Sequence, residues 1–255
     1  MTSDPVRAAL AKKPTLLNAW ITLGLPLAIE MVGAAGWDLA TIDQQHGLGG
    51  PDRLVDCLVG ARSAGLPALV RVAVNDPGLI GRALDAGASG IICPMVNTVA
   101  DAQRLVDAAK YPPLGARSWG PYRARATGKG DYFAEANRTT LACAQIETAE
   151  ALDNLDAILA VEGIDMVYVG PNDLTISLTG GQSRDIAGEV TSRAIGRILD
   201  GCRRHEVIAG IYANDLDFAM PLIAAGWQVV TIGSDAQWLS EGAADAARRG
   251  RPAKG

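Results

Sequence analysis

The stretch AQIETAEALDNLDAILAVEGIDMVYVGPND, Ala144–Asp173, decides the fold. It reads as a short buried run, about twenty residues of helical pattern, and a second short buried run. Each run ends in polar residues. AQIET delivers Gln145 and Glu147, and VYVGPND delivers a Gly-Pro turn and Asp173. If both runs are parallel strands of one sheet, their carboxyl ends lie side by side and the two carboxylates converge. Two carboxylates beside an amide, with no histidine or cysteine, form a hard oxygen site. Such a site suits a magnesium- or manganese-type ion that keeps waters or substrate oxygens.

The same rhythm extends outward in both directions. Apolar runs at Leu16–Ile21, Leu39–Asp43, Ala68–Val72, Gly90–Pro94, Ala142–Ile146, Met166–Val169, Ile208–Tyr212 and Val229–Ile232 predict strands. Between and after them, the spacing predicts helices over Pro26–Ala35, Pro51–Ala64, Pro77–Ala86, Val99–Ala109, Ala149–Ala160, Ala187–His205, Leu216–Ala225 and Ala236–Arg248. Helices that start after Pro or Asp and stop at Gly, as in Asp76-Pro77 to Gly87, carry the expected boundary chemistry. Runs such as IICP and MVYVG are apolar on both faces, as a helix-covered parallel sheet requires. Eight strand–helix units in 255 residues predict a single-domain α/β chain folded as a (β/α)₈ TIM barrel. An open doubly wound sheet is the runner-up. It calls for a Gly-rich nucleotide loop after the first strand, which ITLGLPLA does not supply.

Two segments break the rhythm. Lys110–Arg138 is long and rich in Gly, Pro, Arg and aromatics, with a short helix expected at Tyr132–Asn137. Leu174–Gly188 reads as a polar, Gly-rich connection. Both are expected at the carboxyl end of the barrel.

Composition narrows the function. A net charge of -5 argues against a nucleic-acid face. No apolar run approaches a membrane span, and the N-terminal residues lack the apolar block of a signal peptide, so a cytoplasmic protein is expected. Cys57, Cys93, Cys143 and Cys202 are too far apart for a zinc cluster and read as buried reduced thiols.

Polar groups accumulate at the expected strand ends: Trp20, Asp43, Arg71, Gln145, Glu147, Gly170, Pro171 and Asp173. His46, just past Asp43, is one of two histidines. A lone loop histidine is ordinarily structural or solvated, but its place beside Asp43 fits a general acid or base. His205 reads as surface. Arg71 needs an anion, either Asp43 as a structural partner or a substrate carboxylate held by its planar fork. Asp85 is either a plain helix-end carboxylate or a group that orients His46. None of the lysines, Lys12, Lys13, Lys110, Lys129 and Lys254, ends a strand, which disfavours Schiff-base chemistry.

Taken together these residues resemble the HpcH/HpaI aldolase/citrate lyase family, the class II metal-dependent pyruvate aldolases. The likeness runs through NAWITLGLPLAIEMVGAAGWDLATIDQQHG, PALVRV, GASGIICPMVNTVADAQ, YPPLGARSWGP, AQIET and GIDMVYVGPNDLTISLTG. It implies a barrel of the phosphoenolpyruvate/pyruvate type, assembled as a hexamer (a trimer of dimers) with the final helix, residues 236–248, exchanged between subunits. It implies an aldehyde-lyase that forms or cleaves 4-hydroxy-2-oxo acids through an enolate of pyruvate or hydroxypyruvate plus an aldehyde. Glu147 and Asp173 resemble the ligands of a divalent ion, Mg²⁺, Mn²⁺ or Co²⁺. Arg71 resembles the group that stabilises the enolate. His46 resembles the acid/base, oriented by Asp43 or by Asp85 across a subunit boundary. Trp20, Gln145, Gly170 and Pro171 would line the pocket, and Arg117 and Ser118 would help close it. Many relatives carry Glu where this chain has Gln45, which keeps the shape and removes a charge. Oxaloacetate decarboxylation, acyl-CoA lyase chemistry, and a catalytically silent scaffold are the competing readings.

Overall fold

In a closed barrel, alternate residues of each strand face the axis and the ones between face the helices. The computed structural model describes residues 4–128 and 130–251 and follows this rule around eight parallel strands closed in sequence order. These are β1 (Leu16–Ile21), β2 (Leu39–Asp43), β3 (Ala68–Arg71), β4 (Gly90–Cys93), β5 (Leu141–Ile146), β6 (Met166–Val169), β7 (Ile208–Ala213) and β8 (Val229–Ser234). Each pairs with its neighbours in parallel, and β8 closes on β1. The inward residues form tiers. Leu16, Leu39, Leu69, Leu141, Met166, Ile208 and Val229 fill the amino end of the barrel. Above them Asn18, Thr41, Tyr168 and Thr231 join in one buried hydrogen-bonded chain. The next inward positions, at the carboxyl ends, are Trp20, Asp43, Arg71, Gln145 and Tyr212. The outward residues, such as Ile42, Val70, Ile91, Val167 and Val230, build a second apolar layer under the helices.

The helices are α1 (Pro5–Leu10), α2 (Pro26–Ala34), α3 (Leu54–Ser63), α4 (Pro77–Asp85), α5 (Val99–Ala109), α6 (Tyr122–Thr127), α7 (Tyr132–Thr139), α8 (Ala149–Asp153), α9 (Leu155–Leu159), α10 (Pro171–Leu178), α11 (Glu189–Arg204), α12 (Leu216–Ala225) and α13 (Asp235–Arg249). Helix starts are chemically marked. Asp76 and Asp131 accept the first free N–H groups of α4 and α7, and Thr98 with Asp101 forms a capping box on α5.

Four sequence expectations are corrected. The Ala149–Ala160 helix breaks at Asn154 into α8 and α9, and Asn154 donates to Asn97 O at the break. The segment after Asp173 is not all loop, because Pro171 at the first position starts α10. Helices α1 and α6 lie where none was expected. The long Lys110–Arg138 segment joins a helix to the next strand, so it runs at the amino end of the barrel, not the carboxyl end. Its contacts confirm this. Lys110 reaches the backbone at Thr140 and the carboxylate of Asp165, just before β5 and β6, and Arg123 reaches Ala86 O at the end of α4. The expected helix within it is present as α7.

At the same amino end, α1 seats Val6 against the lowest tier. Arg7 bridges Asp4 and Asp165, and Asp165 also pairs with the buried Lys110. At the other extreme of the chain, α13 has Asp235 as its only fully buried residue, and Leu239 is 65% exposed. No helix among the described residues is long and apolar enough to cross a membrane.

Candidate active site

Strand register determines which polar groups meet. Asp43 and Arg71 are level partners on β2 and β3. Both point inward, so the carboxylate and guanidinium pair across the barrel wall: Arg71 Nε donates to Oδ1 at 2.9 Å and Nη2 to Oδ2 at 2.6 Å. Trp20 Nε1 donates to the same carboxylate, and its ring lies 4.8 Å from the Arg71 guanidinium carbon. Trp20 is itself held between Tyr168, stacked, and Tyr212, edge-on. Burial alone would push the Asp43 carboxyl up. The hydrogen bonds and charge of Arg71, with the N–H groups of Gln45 and His46, outweigh it and hold the group below its usual range.

Across the cavity, Glu147 is 3% exposed. Its Oε1 accepts from the Met95 N–H at 2.8 Å and its Oε2 from Gln145 Nε2 at 2.5 Å. Met95 takes the left-handed conformation, φ 55°, uncommon for a non-glycine residue, and in it presents its N–H to Glu147. Burial pushes the Glu147 carboxyl up and the nearby Asp173 charge pushes it further, against the Met95 and Gln145 hydrogen bonds. Gly170 leaves the space between them open, because a Cβ there would lie 3.0 Å from both Glu147 Oε2 and Gln145 Nε2.

A cavity of about 290 Å³ opens at this end of the barrel. Trp20, Asp43, His46, Arg71, Gln145, Gly170, Pro171 and Asp173 all border it, as the sequence placed them. Thr22, Tyr168, Asn172, Tyr212 and Asn214 border it too, and the sequence reading did not select them. The aromatic ends of β6 and β7 were the available signal for Tyr168 and Tyr212. Nothing in their composition sets Thr22, Asn172 and Asn214 apart from ordinary loop polarity.

The donors fit a hard divalent cation. Asp173 and Gln145 border the cavity, Glu147 lies against the bordering Gly170 and Gln145, and Gln145 Oε1 is buried with no hydrogen-bond partner among the described residues. No three His, Cys, Asp or Glu side chains there gather into a closed cage, so most of an ion's remaining ligands would be solvent or substrate oxygens.

Four predicted residues do not border this cavity: Glu147 lies behind Gln145 and Gly170 at its wall, and Asp85, Arg117 and Ser118 are elsewhere. Asp85 ends α4, and helices of a barrel return antiparallel to the strands, so it lies toward the amino end. There it accepts from Arg117 Nη2 at 2.7 Å and does not orient this chain's His46. Arg117 and Ser118 border a separate cavity with Asp85, between α4 and α5. Asp43 does not orient the imidazole either. It accepts the His46 backbone N–H at 3.2 Å, while its charge is directed to Arg71. The His46 ring makes no hydrogen bond among the described residues. His205 is paired with Asp156 on the far side. No lysine among the described residues borders the cavity, and the buried Lys110 is at the opposite end; Lys129 and Lys254 lie outside the described residues.

Known proteins resemble the chain throughout its length. It is 37% identical over 240 residues to a hydroxypyruvate/pyruvate aldolase of Rhizorhabdus wittichii, covering 94% of this chain and 96% of that one. It is 36% identical over 252 residues to a 4-hydroxy-2-oxovalerate aldolase of Novosphingobium aromaticivorans, covering 96% and 94%. A crystal structure of an HpcH/HpaI aldolase/citrate lyase family protein from Burkholderia cenocepacia superposes with a TM-score of 0.89 at 30% identity, covering 98% of this chain and all of that one. The chain is an enzyme, a lyase of the aldolase type, which sets the silent-scaffold reading aside. With the family's sequence model matching residues 17–241, the chain belongs to the HpcH/HpaI aldolase/citrate lyase family.

Proposed function

We propose that the enzyme is a divalent-metal-dependent aldolase that forms or cleaves 4-hydroxy-2-oxo acids from pyruvate or hydroxypyruvate and a small aldehyde. The observation that carries this reading is the convergence on one cavity of a guanidinium fixed by Asp43, the Asp173 side chain and Gln145, whose Nε2 donates to the buried Glu147 carboxylate beside it. The names of the aldolase relatives support the donor class. Glu147 and Asp173 would hold the ion, magnesium, manganese or cobalt. Such an ion supplies Lewis acidity toward the oxygens of the 2-oxo acid.

Arg71 at the cavity floor stabilises the negative oxygen that develops when C3 gives its proton to the His46 imidazole and the C2 carbonyl electrons shift to oxygen. The C3 carbon of this enolate then bonds to the aldehyde carbon, and the aldehyde oxygen becomes an alkoxide. His46, exposed at the mouth, hands a proton to that alkoxide, and in cleavage takes it back. Trp20, stacked on Tyr168, walls the donor side and keeps the guanidinium oriented.

The proposal includes assembly. Asp85, Arg117 and Ser118 serve the pocket of a neighbouring copy in a homohexamer, with α13 packed on that neighbour. In support, Arg117 is 5% exposed while its Nε and Nη1 have no hydrogen-bond partner among the described residues, and α13 is largely exposed here. Mixing inactive His46→Ala and Asp85→Ala subunits should restore activity if sites are shared.

The decisive experiment follows solvent deuterium into the methyl group of pyruvate and the hydroxymethyl carbon of hydroxypyruvate by NMR. Exchange should be absent with chelator and appear on adding Mg²⁺, Mn²⁺ or Co²⁺. A folded protein that exchanges neither acid with any of these ions would overturn the reading.

A further inference from the structure

Asp235 is a buried carboxylate, 6% exposed, outside the chemistry described so far. No ion pair involving it is found among the described residues. Burying a carboxylate without a cation is costly unless hydrogen bonds replace its water. Asp235 has them. Oδ1 accepts the Thr22 N–H and the Thr22 hydroxyl, both at 2.7 Å, and the Ala236 N–H at 2.9 Å, while Oδ2 accepts the Leu23 N–H at 3.2 Å. Helix capping does not explain the residue, because Ser234 already caps α13 by accepting the Gln237 N–H. Besides the Ala236 N–H of its own helix, the carboxylate reaches the turn that follows β1. A register shift between β1 and β8 brings Trp20 level with Ser234 and so brings that turn within reach.

The turn has a second neighbour. Thr22 O accepts the Leu48 N–H at 2.6 Å. Gly24, at φ +65°, lies so close to Gly49 that a Cβ on it would sit 2.4 Å from the Gly49 Cα. The loop 44–49 is therefore held on one side by Asp43 and on the other by the 22–24 turn. His46 is carried by this loop, and its ring has no hydrogen bond among the described residues.

We propose that Asp235 is a positioning residue for His46, acting through the Thr22–Gly24 turn on the loop that carries the imidazole. This rests on His46 being the proton carrier proposed above. Thr22 also borders the cavity, so the same tether shapes the wall beside the aldehyde.

A double-mutant cycle tests it. Asp235→Ala should lower kcat for aldol turnover about tenfold to a hundredfold, the scale of a small misplacement of a reacting group. The KM for the 2-oxo acid and the Mn²⁺ affinity should change by less than about twofold if the coupling is confined to His46. In a His46→Ala background the same substitution should cost less than about twofold. Asp235→Asn keeps one acceptor oxygen for Thr22 and should recover most of the loss. An equal fold-loss in both backgrounds would overturn the proposal, as would a parallel rise in KM and weakening of metal binding.

One arm does not depend on activity. The chain has two histidines, so the ring signals of His46 and His205 are separable by NMR. Asp235→Ala should shift or broaden the His46 signal and leave His205 in place, and an unmoved His46 signal refutes the coupling. A wild-type protein without aldol turnover would refute the aldolase reading, with this arm still deciding the tether. If Asp235→Ala does not fold, Thr22→Val, which removes the hydroxyl that Asp235 accepts from, carries the same comparison.

Discussion

Replacing Asp43 by Ala removes the partner of a guanidinium that is 8% exposed. Two charge-assisted hydrogen bonds, at 2.9 and 2.6 Å, are lost at once. The N–H groups of Trp20, Gln45 and His46 lose their acceptor as well. Breaking a buried pair by deleting one partner costs about 3–5 kcal/mol, and the open cavity lets water reach Arg71, so the lower end, about 3 kcal/mol, applies. For a chain of this length that is a fall in Tm of about 6–12 °C. Without its brace the guanidinium no longer keeps its orientation toward the developing oxyanion. The rate of donor deuterium exchange should then drop about a hundredfold, the scale of a lost oxyanion donor. Thermal unfolding and the NMR exchange assay, run on the same preparations with saturating metal, measure both effects. Asp43→Ala with a Tm within about 2 °C of wild type and undiminished exchange would show that the pair neither holds the site together nor orients Arg71.

Three further outcomes are expected. Glu147→Ala and Asp173→Ala should each abolish Mn²⁺ binding measured by calorimetry and leave the circular dichroism of the barrel intact; tight binding in either variant would remove that residue from the ion site. Because the folded Asp43 carboxyl lies below its unfolded value, its contribution to stability is complete above the ordinary carboxylate range and is lost as pH falls through the folded value. The Tm difference between wild type and Asp43→Asn should therefore hold from pH 7 to about 5 and shrink below about 4, and growth on acidification contradicts the assignment. Lys110→Met should cost about 3 kcal/mol in urea unfolding by removing the buried cation on Asp165 Oδ2 and stranding two carbonyls, with metal affinity unchanged.

The barrel was legible because short apolar runs alternate with helix-period segments eight times along the chain. Leu16, Asn18 and Trp20, or Leu39, Thr41 and Asp43, reveal an inward face that begins apolar and ends polar. That ending located Trp20, Asp43, Arg71 and Gln145 without knowledge of any contact. Two kinds of information were not in the pattern. Direction was one: the loop that carries Arg117 and Ser118 was expected at the carboxyl end, although it leads from a helix into a strand. The other was the division of one carboxylate among several donors. Asp43 was a candidate partner for both Arg71 and His46. Only the side-chain geometry shows a bidentate grip on Arg71 and a backbone contact to His46. Pro171 was read as a turn and proved to be the first residue of a helix, since proline suits both positions.

The four cysteines lie buried in the barrel and under its helices. Burial pushes the Cys57 thiol up to about 11, with nearby acidic charge adding to it, and raises Cys93 and Cys202 to about 12. At neutral pH fewer than about one in a thousand of these groups is a thiolate, the form that reacts. Thiol reagents and soft metal ions therefore find nothing to attack while the protein is closed. Each sulfur then becomes a silent timekeeper: the rate at which an aromatic disulfide dye, reacting by thiol–disulfide exchange, colours the native protein reports how often the barrel opens, with no label added.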